Sequence, residues 1–323
     1  MENSSSFLHR LKTEVVSAKS PIIIPPYLKK GDRIGITCPA GYLDAANVKI
    51  CVQTLQAWGF EVRVGKTVGG ASSTYFSGTD EERLHEFQEM LDNPEINAIL
   101  CGRGGYGSSR LLDKLRFNRF KKVPKWIIGF SDITALHGHL LSKLNISSIH
   151  GPMASAFIYG KKDPTYIQSL RASMIGRKIR YTHATHPLNR LGKSSAPLVG
   201  GNLSLFCHLL GTSSEIDTRN KILFIEDIGE QLYAIDRMLV QCKRAGKLNE
   251  ITGLIVGGFS DLKNTERPFG KTLEEVVLDA VGENNYPVCF GFPISHDPAN
   301  LAVKLGLTYT LSVGKTVVQL NEI

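Results

Sequence analysis

The chain predicts an α/β fold, with an N-terminal doubly wound, mostly parallel sheet domain and a smaller C-terminal mixed α+β, barrel-like domain. Three observations carry that expectation. Apolar, strand-like runs alternate with segments of helical spacing between residues 33 and 150, glycine-rich turns follow two of those runs, and the chain closes on short strands. At 323 residues it is long enough to bury two ordinary cores. Shifts in composition divide it into a flexible extension over 1–20, an α/β domain over 21–156, an interdomain connection over 157–194 and a C-terminal domain over 195–323.

The elements follow in order. Gly31 to Gly41 reads as a buried strand running into a Pro/Gly turn, then a helix from about Asp44 to Trp58 and the short strand Glu61 to Val64, a βαβ opening. Thr79 is an N-cap with Asp80, Glu81 and Glu82 in the first turn, and Leu84, Phe87, Met90 and Leu91 recur at helical spacing up to Asn93-Pro94. Ile96 to Cys101 is the next strand, followed by glycines at 102, 104, 105 and 107 and a helical run from Ser108 to Leu115. These glycines lack the GxGxxG order at the first strand, and no GxxxxGK[ST] is present, which argues against a nucleotide site. Trp126 to Phe130 is a further strand, Ile133 to Leu141 a helix and Ile146 to Ile149 a strand. In the second half, Gly200-Gly201-Asn202-Leu203 leads a short helix, and Ile222 to Ile225 is a strand ending in Glu226-Asp227. A helix follows from Gln231 to Ala245, then a strand over Gly253 to Val256 and a helix over Leu273 to Val281. Val288 to Phe292 precedes the turn around His296, and Leu307 to Leu311 and Thr316 to Leu320 close the chain.

Composition excludes several function classes. No apolar run reaches the roughly 18 residues of a membrane span, so membrane insertion is not expected, and residues 1–20 lack the apolar core of a secretory signal. The six cysteines are scattered without CxxC or Cys/His ligand spacing, as expected of core residues in a reducing, cytoplasmic compartment with no metal. The net charge of +8 raises nucleic acid as a partner, but the basic blocks 110–125 and 171–193 do not interleave aromatics in a binding motif; an anionic small molecule or peptide suits them as well.

Ser131 falls at the break between the strand ending at Phe130 and the next helix, where free backbone N–H groups and the helix dipole favour negative charge. The turn resembles the strained elbow that presents nucleophiles in α/β hydrolases, although Gly129-Phe130-Ser131-Asp132-Ile133 lacks that motif's second glycine. A plain N-cap role for Ser131 or Asp132 accounts for the same segment. Nucleophilic attack by serine also needs a base and a group to orient it. His296, in a turn between strands, and Glu226, at a strand end, are the candidates, against a surface histidine and a helix-capping carboxylate. His137 and His139, on the helix after Ser131, are expected to face core or solvent.

Four segments together resemble the LD-carboxypeptidase family of serine peptidases, which includes muramoyl-tetrapeptide carboxypeptidases and microcin C self-immunity peptidases. They are Arg103-Gly104-Gly105-Tyr106-Gly107 with Arg110-Leu111-Leu112; Gly129 to Ala135; Gly200-Gly201-Asn202-Leu203; and Leu223 to Asp227 with Asp236-Arg237-Met238-Leu239. Phe76 to Asp80 and His150-Gly151-Pro152-Met153 agree, and the similarity runs from about Lys30 to the C-terminus. The resemblance implies Ser131 as nucleophile, His296 as base and Glu226 as its partner, with backbone N–H groups of Asp132 and Gly105 as the oxyanion hole. Arg103, Gly104 and Tyr106 would contact substrate, with a structural ion pair the alternative for Arg103. Two segments depart from the family pattern, Cys38 to Gly41 and Val303 to Gly306, and both bear on substrate contacts rather than on the triad.

The resemblance further implies a cofactor-free homodimer that cleaves the bond between an L-configured centre and a terminal D-amino acid, with D-alanine of the murein tetrapeptide the expected product. Hydrolysis of a toxic peptidyl-nucleotide conjugate is the same-family alternative, weakened by the absence of tryptophan from 157–194. A non-catalytic murein-peptide binding protein is the alternative of another class.

Overall fold

The computed structural model describes residues 21–161, 164–297 and 299–323. The expected extension over 1–20 lies outside them, as does Pro298 beside the His296 turn. The strands in chain order are β1 (Arg33–Thr37), β2 (Glu61–Val64), β3 (Ile96–Cys101), β4 (Trp126–Gly129), β5 (Ser148–His150), β6 (Arg180–Ala184), β7 (Gly192–Asn202), β8 (Ile222–Ile228), β9 (Gly253–Ser260), β10 (Val288–Cys289), β11 (Val303–Leu305), β12 (Thr308–Val313) and β13 (Val317–Glu322). The helices are α1 (Lys49–Ala57), α2 (Asp80–Asp92), α3 (Asn118–Lys122), α4 (Thr134–His139), α5 (Pro164–Met174), α6 (Leu203–His208), α7 (Leu232–Arg244) and α8 (Leu273–Val281).

The first sheet has the order β11-β5-β4-β3-β1-β2 and is parallel except for β11, which runs antiparallel to β5. Its central strands are apolar on both faces because helices cover both. Trp126 and Ile128 pack with α1 and α5 on one side, while Ile127 between them packs with α2 and α4 on the other. The start of α2 follows its expected chemistry: Thr79 and Glu82 form a reciprocal capping box, with three carboxylates in the first turn.

The second sheet, in the order β10-β9-β8-β7-β12-β13-β6, has a parallel part from β10 to β7 and an antiparallel part from β12 to β6. Helices α6, α7 and α8 cover one face. The other face lines a core with β11 residues Val303 and Leu305, and a bridge from Arg190 to Val288 draws the chain beyond β6 back to the β10 edge. That curl is the barrel-like character expected of this half.

Four elements differ from the expectation. The stretch 157–194, expected to be a connection, holds α5, which packs on the first sheet, and β6, the edge strand of the second. Its strand was hidden because Arg180–Ala184 is polar and only half-buried at alternate positions, as an edge strand is. β11 was missed because three residues are too short to set a period. The run expected as a helix over Ser108 to Leu115 forms only two short 3-10 turns. Among the described residues no helix is long and apolar enough to cross a membrane.

Parallel order brings the carboxyl ends of β1, β3 and β4 to one edge of the first sheet, and those of β7, β8 and β9 to one edge of the second. The second edge depends on a close backbone approach at Gly200, where φ is +135° and an added Cβ would lie 1.9 Å from the carbonyl oxygen of Phe224. Gly200→Ala should therefore lower the free energy of unfolding by more than about 2 kcal/mol. Urea denaturation measures this, and a loss below about 0.5 kcal/mol would show that β7 and β8 part without cost.

Candidate active site

Ser131 leaves the end of β4 with φ at +61°, a left-handed conformation that costs a non-glycine residue of order 1–3 kcal/mol. The elbow expected from sequence is thus present in its backbone. The room that a second glycine gives in the hydrolase motif comes from a neighbouring turn: a Cβ on Gly104 would lie 2.9 Å from that of Ser131. Neither Ser131 nor Asp132 is an N-cap. The Asp132 carboxylate, fully buried, instead accepts the N–H groups of Gly107 at 3.3 Å and Ser108 at 2.8 Å. Burial raises its pKa, and those hydrogen bonds act against the rise.

The Ser131 hydroxyl lies 2.8 Å from Nε2 of His296, a residue 165 positions away in sequence. Nδ1 of His296 lies 2.6 Å from Oε2 of Glu226. The tautomer that satisfies all three groups has Nδ1–H donating to Glu226 and Nε2 accepting from Ser131. Glu226 is fully buried at the carboxyl end of β8, while His296 keeps a side-chain exposure of 10% and packs against Phe130, ring centres 4.9 Å apart.

A local irregularity aims Glu226. Where β8 passes from Ile225 to Asp227, β9 passes from Val256 to Phe259, so Gly257 and Gly258 together oppose Glu226 in a bulge. A Cβ on Gly257 would lie 2.0 Å from the carbonyl oxygen of Ile294, and the Gly258 N–H donates to that oxygen at 3.2 Å. The absence of side chains there lets the 292–297 turn lie on the strand end and carry His296 to Glu226. The sequence reading ended this strand at Val256; the adjacent glycines were the available signal of a bulge or a close approach.

The two sheet edges meet directly. The Asn202 N–H donates to Thr134 Oγ1 at 3.1 Å, and the Asn202 side chain donates to Asp227 at 2.7 Å. Asp227 also accepts the N–H and hydroxyl of Ser204 at 2.9 and 2.7 Å. Asp227 thereby holds the end of β8 against the start of α6.

Electrostatics favour a chargeable imidazole. Burial opposes a proton on His296, but the hydrogen bond and charge of Glu226 outweigh it and hold the pKa above the ordinary 6.5. Burial pushes the Glu226 carboxyl upward, with the His296 contact pulling the other way. His137 is pushed down to about 4 by burial and lies 2.9 Å from the Gly129 carbonyl oxygen through Nε2, while His139 meets the Ser214 hydroxyl, so both belong to the core.

The remaining expected residues surround Ser131. Among the described residues, no acceptor is hydrogen-bonded to the backbone N–H of Asp132 or Gly105. Gly105 has φ at +98°, and Tyr106 is exposed with its ring 6.1 Å from that of Phe76. Arg103 is exposed, donates to the Tyr42 carbonyl at 2.9 Å, and forms no ion pair with a carboxylate among the described residues. The two departing segments are buried at Cys38 and Lys304, the latter paired with Glu322 at 2.7 Å.

Residues 34–151 match the family model described as the LD-carboxypeptidase N-terminal domain, and residues 195–311 match that of the LD-carboxypeptidase C-terminal domain. The chain is 38% identical over 286 residues to a probable murein peptide carboxypeptidase of Bacillus subtilis, covering 87% of this chain and 89% of that one. A crystal structure of muramoyltetrapeptide carboxypeptidase from Oxalobacter formigenes superposes with a TM-score of 0.81 at 28% identity, over 90% of this chain and 98% of the other. The microcin C7 self-immunity protein MccF, in complex with aspartyl sulfamoyl adenosine, superposes with a TM-score of 0.80 at 25% identity, over 94% and 99%; the curated protein of that name is from Escherichia coli.

The pairing of His296 with buried Glu226 makes a spectroscopic prediction. The His296 imidazole should titrate above 6.5 in NMR, and Glu226→Gln, which removes the charge, should lower that midpoint by about one unit or more. An unchanged midpoint would mean that Glu226 does not hold the proton on this ring.

Proposed function

The chain belongs to the LD-carboxypeptidase family and is a serine-type carboxypeptidase, and we propose that it releases D-alanine from the murein tetrapeptide by a Ser131–His296–Glu226 mechanism. The observation that carries the mechanism is the continuous hydrogen-bonded chain from Ser131 Oγ through both nitrogens of His296 to Glu226. His296 takes the hydroxyl proton as Oγ attacks the carbonyl between the L-configured centre and the terminal D-residue. Glu226 stabilises the imidazolium so formed. The N–H groups of Asp132 and Gly105 receive the oxyanion, His296 then protonates the departing amine, and water attacks the acyl-enzyme by the same route in reverse.

Arg103, with no carboxylate partner among the described residues, is suited to the terminal carboxylate of the substrate, beside Gly104 and Tyr106. A cytoplasmic homodimer completes the proposal, the location supported by six free, buried cysteines. A second reading, hydrolysis of a peptidyl-nucleotide conjugate, is favoured by the similarity to MccF and by exposed Tyr75 and Tyr106 near the glycine turn, which offer rings to a base.

Incubation with synthetic tetrapeptide stems ending in D- or L-alanine, followed by mass analysis, tests the substrate: D-alanine release is expected, and release of L-alanine alone overturns it. Ser131→Ala should lower kcat by at least about 10⁴-fold while leaving the thermal midpoint intact. Because His296 must be neutral to act as base and its pKa is raised, kcat/KM should fall on the acid side with a midpoint above 6.5. An acid limb below 6 would remove His296 from the role of base.

A further inference from the structure

We propose that the Asp132 carboxylate and the Arg83 guanidinium are a positioning pair that sets the glycine turn 103–107 against Ser131. The inference rests on the proposed function, since the turn carries the Gly105 N–H assigned to the oxyanion.

The peptide of Gly107 is gripped from both sides. Its N–H donates to Asp132 Oδ1 at 3.3 Å, and its carbonyl accepts Arg83 Nη1 at 3.3 Å. Ser108 doubles the hold on Asp132: its N–H donates to Oδ2 and its hydroxyl to the backbone carbonyl, each at 2.8 Å. Arg83 extends the grip to other loops through the carbonyls of Pro39 at 2.5 Å and Gly78 at 3.3 Å. At the far end of the turn, the Gly41 N–H donates to the Gly104 carbonyl at 3.0 Å, so Pro39 and Gly41 of one loop join the same frame.

Restraint is needed here because of the turn's own composition. Gly105 and Gly107 sit at φ of +98° and +141°, and glycine has the widest choice of backbone conformation to lose. An oxyanion donor must be held to within about 0.5 Å. Arg83 and Asp132 are both fully buried, and Arg83 lies under the Phe76 ring at 4.7 Å with Asp80 as its ion-pair partner. A buried charged group is weak as a source of net stability. These two converge on the backbone of a turn in contact with the nucleophile, and Asp132 follows Ser131 directly in the chain, so movement of either partner passes to the Ser131–Gly105 spacing.

The experiment compares wild type, Asp132→Asn and Arg83→Lys by kcat and KM on the tetrapeptide stem, by inhibition with a peptidyl boronic acid that forms a tetrahedral adduct with serine, and by thermal melting. Asp132→Asn leaves one acceptor and turns an amide donor toward the other N–H. It should lower kcat about 10–100-fold, leave KM within about threefold, and weaken boronate binding in proportion to kcat. Arg83→Lys, which keeps the charge with fewer donors, should show a smaller loss of the same kind. The inference is overturned if Asp132→Asn keeps kcat within about twofold, or loses kcat with boronate affinity unchanged. It is equally overturned if both variants fail to fold, since the pair then serves the fold alone. A wild-type protein inert to substrate and boronate alike removes the proposed function and this inference with it, whereas an active Asp132→Asn removes only the inference.

Discussion

The hydrogen bond between Ser131 and His296 is where the two sheets converge, and irregular backbone on both sides of it brings the two groups together. Each sheet presents strand ends along one edge, yet a strand end alone does not aim a side chain. On the first edge, the left-handed conformation of Ser131 turns its hydroxyl out of the strand direction. On the second, the bulge opposite Glu226 and the turn laid over Gly257 and Gly258 bring the imidazole to the carboxylate. Removing any one of these features would leave the same residue types on the same edges without a continuous proton path.

The cost of that backbone is met by the surroundings. A non-glycine residue at positive φ persists only where its neighbours over-determine it. Ser131 is followed by Asp132, anchored to two peptide N–H groups, and by Thr134, which accepts the N–H of Asn202 from the other sheet. Asn202 reaches Asp227 beside Glu226. Polar contacts therefore link the flanks of the nucleophile to the flanks of its partner, and the geometry does not depend on apolar packing alone.

The same economy explains why glycine is frequent near the site. Gly104 touches the nucleophile, Gly200 admits the backbone of β8, and the 257–258 pair admits the histidine turn. In each case the missing side chain creates an approach that no rotamer can supply, and each belongs to a different chain segment. Their spacing in sequence consequently forms no single motif.

Alternating apolar runs and helical spacing sufficed for the parallel sheet, and the local settings of Ser131, Glu226 and His296 made them candidates to which the resemblance to the LD-carboxypeptidase family gave roles. Local periodicity encodes such elements because burial on one face or two leaves its mark residue by residue. The edge strand β6 and the three-residue β11 left too little mark, and α5 lay in a stretch whose polar, basic composition resembled a linker. The sequence alone determined that a serine and a glutamate stood at strand ends and a histidine in a late turn, positions from which each can do its chemistry. Only the tertiary structure decided that residues 131, 226 and 296 touch, that Asp132 binds a turn rather than caps a helix, and that Arg103 lacks an ion-pair partner among the described residues. Those facts depend on distances across two sheets, and a side chain's partner 165 residues away leaves no trace in its own neighbourhood.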